Sequence, residues 1–136
     1  MHKLYDFIEA RERLTTVVVK TKLIHSPVFS EESGNEIYLK PENLQKTGSF
    51  KIRGAYNKIA KLTEEEKKKG VIASSAGNHA QGVAYAAKRL GIKAVIVMHK
   101  HTPLIKVEAT RKYGAEVVLH GEVYDDAYKK ALELQK

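Results

Sequence analysis

Residues 71–98 read VIASSAGNHAQGVAYAAKRLGIKAVIVM, and this stretch decides the fold. A short apolar run, Val71-Ile72-Ala73, gives way to small polar residues. Alanines and valines then recur at helical spacing from Asn78 to Leu90, Gly91 stops them, and a second apolar run follows, Ala94 to Met98. Apolar runs of three to five residues without polar alternation are strands covered on both faces, and a helix between two of them makes a parallel crossover. The unit repeats downstream. Leu104 to Tyr113 has helical spacing, Gly114 ends it, and Val117-Val118-Leu119 supplies a third strand, with a last helix from Tyr124 to Gln135. The expected architecture is α/β, a three-layer parallel sheet flanked by helices with right-handed crossovers.

Working back toward the N-terminus, a helix is expected from Ser49 to Leu62, and a short one from Thr63, where Glu66 completes a capping box and Gly70 ends the turn. In that helix Glu64-Glu65-Glu66 precede Lys67-Lys68-Lys69, the order of an exposed helix laced with i,i+3 and i,i+4 pairs. An opening amphipathic helix is predicted for Leu4 to Leu14, with Leu4, Phe7 and Ile8 on one side. Between these, Val17-Val18-Val19 is expected to begin an extended arm running past Pro27 and Phe29, with a turn at Ser33-Gly34-Asn35 before a strand Ile37-Tyr38-Leu39.

The chain has 136 residues, enough for one domain with one modest core. With no cysteine there are no disulfides or thiolate metal sites, and a reducing, cytoplasmic setting is expected. The longest apolar run is far short of a bilayer span, and the first residues, Met1 to Asp6, lack the apolar core of a secretory signal, so no membrane partner is expected. The formal charge of +8 is scattered along amphipathic helices rather than gathered in a stripe with aromatics, which argues against nucleic acid.

Two constellations carry chemistry. The first is KPENLQKTGSFKIRGA, residues 40–55. Thr47 or Ser49 can cap a helix whose first turn carries Lys51, placing an amine beside free backbone N–H groups. Such a lysine can act as a nucleophile toward a carbonyl once its pKa is lowered; it can equally be one basic side chain among 24 on a surface helix. The second is SSAGNHAQG, residues 74–82, at the junction of a strand and a helix. That junction is where parallel sheets collect ligands, and the helix start after it favours carboxylate or phosphate, although the same residues also suit a plain capped turn.

Taken together, these two segments resemble the signature segments of the fold type II pyridoxal-phosphate enzymes, in the threonine/serine dehydratase (threonine ammonia-lyase) branch. The similarity runs over the whole chain, since Val107-Glu108-Ala109-Thr110 and Tyr113-Gly114-Ala115-Glu116-Val117 share it. The resemblance implies pyridoxal 5'-phosphate as cofactor and a small amino acid as substrate, with L-threonine converted to 2-oxobutanoate and ammonia, a step of isoleucine biosynthesis. It implies that Lys51 binds the cofactor covalently and removes the substrate α-proton. Phe50 would pack against the cofactor and Asn78 would bond its ring hydroxyl. Ser75, Gly77, Asn78, His79 and Ala80 would grip the substrate carboxylate. Racemases of the group carry a serine where Ala76 stands, so the resemblance favours dehydration.

By the same resemblance, residues 1–47, the helix and arm, belong to a larger domain, and residues 48–136 form the small domain with the lysine and the Ser-Ala-Gly-Asn-His loop. No glycine-rich phosphate loop follows Asn78, so the chain is expected to be a fragment, inactive alone, served by self-association or by a complementing C-terminal fragment. The arm residues Val17 to Val19, Ile24, Phe29 and Ile37 are expected to seek a partner outside the chain. The alternative is an engineered or excised non-catalytic α/β domain that self-associates. Proline is usual in the family where Lys22 and His99 stand. No metal is expected, His99 and His101 being weak candidates.

Overall fold

The computed structural model describes residues 3–136. Met1 and His2, which open the segment read as lacking a secretory signal, lie outside the described residues. Three parallel strands, β3 (Val71–Ser74), β4 (Ala94–Met98) and β5 (Glu116–Leu119), form a sheet in that spatial order. Val71 pairs with Ala94, and Val95 with Glu116. The connecting helices are α5 (Asn78–Leu90) and α6 (Leu104–Lys112), and α7 (Tyr124–Leu134) follows β5.

Alternation along β4 divides the core in two. Ala94, Ile96 and Met98 join a cluster with Ala80, Val83, Ala84 and Ala87 of α5 and Val107 of α6. Val95 and Val97 point the other way, against Ala127 and Ala131 of α7. The sheet is therefore covered on both faces, as the unbroken apolar runs require. The alanines of α5 matter here because short side chains let the helix lie close to the sheet and to α3 (Lys51–Ala60), which contributes Ala55 and Ile59 to the same cluster. Gly91 closes α5 in the left-handed conformation at φ 68°, its N–H donating to the Ala87 and Lys88 carbonyls.

The capping box expected before α4 (Glu64–Lys69) is present. The Glu66 N–H donates to the Thr63 hydroxyl at 3.2 Å, and the Thr63 N–H to the Glu66 carboxylate at 2.8 Å. No described helix is long and apolar enough to cross a membrane.

The N-terminal third differs from expectation in three ways. First, the stretch read as extended past Pro27 and Phe29 contains a helix, α2 (Pro27–Ser33). Proline at its first position and left-handed Gly34 just beyond its end are the boundary signals, and a seven-residue helix shows no apolar repeat to reveal them. Second, the strand read from Ile37 shrinks to β2 (Tyr38–Leu39), paired antiparallel with β1 (Ile24–His25). Third, Val17 is fully buried within this chain, so it does not await an outside partner, whereas Ile24 and Phe29 stay half exposed. The first helix, α1 (Leu4–Leu14), has the expected bounds and packs on α3, where the Arg13 guanidinium donates to the Asn57 amide oxygen at 2.7 Å. Only Leu14 of its apolar residues is buried; Leu4 and Phe7 face outward.

Candidate functional site

Lys51 is the first residue of α3, two residues later than the expected start. Neither candidate cap takes the role: Phe50 occupies the capping position and no side chain caps the helix, while the Ser49 hydroxyl accepts the Lys51 N–H at 3.3 Å from one residue further back. The Thr47 hydroxyl is buried without a partner among the described residues. The Lys51 side chain is exposed, and its ammonium lies 5.0 Å from the centroid of the exposed Phe50 ring.

The second constellation forms the end of β3 and the first turn of α5. The Ser75 N–H continues the ladder to the Val97 carbonyl at 3.1 Å, and its hydroxyl accepts from the Gly77 N–H at 3.3 Å. Gly77 precedes the helix without supplying a side-chain cap, which leaves the N–H groups of Asn78, His79 and Ala80 as the unpaired donors of a helix start. Asn78 is exposed, and its carboxamide has no hydrogen bond among the described residues. Ala80 is fully buried in the core.

Gly82 joins the two constellations. A Cβ placed there would sit 3.2 Å from the Lys51 carbonyl carbon and oxygen and 3.3 Å from the Ile52 nitrogen. The start of α3 therefore rests directly on the first turns of α5. His79 senses the same neighbour: partial burial and then the Lys51 charge hold its imidazole below its usual pKa. The helix start that carries Lys51 thus lies against the helix whose first turn carries Asn78, His79 and Ala80. A groove of about 650 Å³ lies elsewhere, between α1 and α3, and its lining includes neither Lys51 nor residues 75–80.

A hub that the sequence did not reveal holds the lysine segment in place. Glu42 accepts the Arg53 guanidinium through both oxygens, at 2.8 and 2.9 Å, and the Thr21 hydroxyl at 2.7 Å. Gln45 clasps the Val19 backbone, accepting its N–H at 2.9 Å and donating to its carbonyl at 2.8 Å, while the Lys40 ammonium donates to the Thr21 carbonyl. The Arg53 hydrogen bonds hold the Glu42 carboxyl at about 2, against an ordinary 4.5. Because the folded value lies below the unfolded one, the stabilisation is complete above about pH 4.5 and is lost as pH falls toward 2. That depression is worth at most about 3 kcal/mol, and screening at the one-third exposed guanidinium lowers it to ~1–2 kcal/mol. In urea titrations, Glu42→Gln should therefore lose stability at pH 7 and lose progressively less on going to pH 3. An equal loss at both pH values would contradict this account.

The histidines of the β4 end do not assemble a metal site. His101 meets the Glu122 carboxylate, whereas the His99 ring buries its Nδ1 without a hydrogen-bond partner among the described residues. No group of three or more histidine, aspartate or glutamate side chains among the described residues is arranged to hold an ion.

Pyridoxal phosphate fits the donor set at the Lys51 surface: an accessible amine for its aldehyde, an aromatic ring beside that amine, and an uncommitted carboxamide for a ring hydroxyl. Comparison with known proteins agrees with that chemistry. An L-threonine ammonia-lyase of Thermotoga maritima is 60% identical over 136 residues, all of this chain and 34% of that protein. A catabolic L-threonine dehydratase of Escherichia coli K12 is 54% identical over 129 residues, 95% of this chain and 39% of the enzyme. Among solved structures, threonine deaminase isoform 2 from Solanum lycopersicum superposes with a TM-score of 0.83 at 41% identity, covering 98% of this chain and 38% of that one. Maize serine racemase superposes with a TM-score of 0.91 at 35% identity, covering 98% and 40%. The chain thus spans little more than a third of the length of the curated relatives it matches. Its sheet and helices have the small-domain architecture of the fold type II enzymes. The family described as pyridoxal-phosphate dependent enzymes matches residues 14–136, and the chain belongs to it.

Proposed function

We propose that this chain supplies the lysine-bearing part of a pyridoxal-phosphate-dependent ammonia-lyase acting on L-threonine or L-serine. The observation that carries the reading is the contact of α3 with α5 at Gly82, which packs the helix start bearing the exposed Lys51 against the helix whose first turn holds Asn78, His79 and Ala80. Similarity to threonine ammonia-lyases and dehydratases supplies the substrate class.

In this reading Lys51 holds the cofactor covalently and later accepts the α-proton of the bound amino acid at its Nζ. When bound, the cofactor supplies an electron sink for the pair left by that proton, which allows the β-hydroxyl to leave. Phe50, whose ring centroid lies 5.0 Å from the Lys51 ammonium, packs against the cofactor in this reading. Asn78 orients a ring hydroxyl. Ser75, Gly77, His79 and Ala80 receive the substrate carboxylate at the α5 start, where free amides and the helix dipole favour negative charge. Partial burial and the Lys51 charge hold the His79 imidazole below its usual pKa. Ala76 offers only a methyl group, so position 76 provides no hydroxyl to return a proton to the opposite face, and dehydration is preferred to racemisation.

Residues 1–47 are assigned with a larger domain and residues 48–136 to the small one, and the protein is placed in the cytoplasm. Ile24 and Phe29, half exposed, favour self-association or a complementing C-terminal segment. Sedimentation at micromolar concentration is expected to show a dimer; a clean monomer would remove self-association from the reading. The function is tested by incubating the chain with pyridoxal phosphate, reducing with borohydride and mapping the modified peptide. Label concentrated at residue 51 is expected. Label spread evenly over the exposed lysines would leave a non-catalytic α/β domain as the better description.

A further inference from the structure

Gly82 lies inside α5, one turn beyond the free donors of its start, and it is buried where the backbone of α3 crosses it. Its conformation is ordinary for a helix, so the left-handed region does not explain a glycine here. Helix interiors disfavour glycine relative to alanine, and the local preference therefore opposes the residue found. What the position does demand is space. The atoms that a Cβ would press on are the Lys51 carbonyl and the Ile52 nitrogen, which are backbone and cannot rotate aside as a side chain would. A side chain at 82 obliges the backbone at Lys51 and Ile52 to give by a few tenths of an ångström. Ile52, fully buried, and the Glu42–Arg53 pair hold the residues that follow Lys51 in that turn.

We infer that Gly82 is a positioning residue: the absent side chain sets the separation between the Lys51 amine and the donors of Asn78, His79 and Ala80. This deepens the reading of Lys51 as the cofactor-binding group and rests on it for its consequence, though not for its geometry. A helix-packing role alone would appear as lost stability, whereas a positioning role appears as altered communication between residues 51 and 79.

Two measurements on the 136-residue chain separate these. The first needs no cofactor. The His79 imidazole is titrated by NMR in the parent and in Lys51→Met, and the difference in midpoint measures how strongly the two residues sense each other. The same pair of titrations is made in Gly82→Ala and Gly82→Val backgrounds, with thermal melting recorded for each. The expected result is at least a twofold fall in that difference in Gly82→Val and a smaller fall in Gly82→Ala, the alanine variant melting no lower than the parent. An undiminished difference in both folded variants overturns the inference. If valine prevents folding, the alanine pair decides alone. The second measurement is borohydride-trapped labelling by pyridoxal phosphate at residue 51, with exposed Lys93 as the reference within the same chain. At least a fivefold drop in the ratio of the two labels is expected in Gly82→Ala, and an unchanged ratio counts against the inference. Should the parent show no preference for residue 51, the ammonia-lyase reading fails, and the titration pair still decides the geometry.

Discussion

Lys51→Ala should abolish cofactor attachment at the start of α3 while leaving the fold intact. The two halves of this expectation have separate causes. The Lys51 side chain is exposed and contributes only a stacked cation over Phe50, so its removal should change stability by no more than about 0.5 kcal/mol. Attachment, by contrast, needs a neutral amine within reach of an aldehyde, and alanine has none. Lys51→Arg makes the stronger control because it keeps the charge and much of the length, yet a guanidinium is never deprotonated in a protein and cannot attack a carbonyl. Both variants should lose the visible absorbance of lysine-bound cofactor completely and retain the parent circular dichroism. Absorbance that survives either change would assign the chemistry to another lysine.

Ile96→Ala should be the most destabilising of the simple substitutions, by about 2–5 kcal/mol. Ile96 is fully buried in the central strand, beneath α5, where both neighbouring strands limit collapse around a cavity. For a domain of this size the loss is a large share of a total stability of order 5–15 kcal/mol. Ile96→Val, which removes one methylene, should cost roughly 0.5–1.5 kcal/mol. Urea unfolding measures both. A lower midpoint at unchanged slope is the expected form, and an alanine variant as stable as the valine one would show that Ile96 is not where the core is tightest.

How much of this was legible beforehand depended on how far a signal extended along the chain. The helix Asn78–Leu90 and the strand Ala94–Met98 were readable to the residue, because a change of period at Asn78 and a left-handed glycine at Gly91 mark both ends. Helix α2 was not, since its seven residues hold less than two full turns and its boundary signals look like an ordinary turn. At the site, Lys51 and the Asn78 loop stood out because each lies in a long distinctive segment. The hub of Thr21, Glu42, Gln45 and Arg53 did not: these residues follow no common spacing, and a carboxylate that serves three chain segments can be recognised only in three dimensions. Gly82 sat inside a quoted motif, yet its importance arises from the crossing of two helices, which no local pattern encodes.

The Glu42 hub has a dynamic consequence. Its partners come from the arm at Thr21 and from α3 at Arg53, two residues beyond the lysine. Opening either segment alone leaves the shared carboxylate short of a partner, so loosening of the arm and fraying of the lysine-bearing turn are coupled. A perturbation of the arm at Thr21 therefore reaches the amine at residue 51 without touching it.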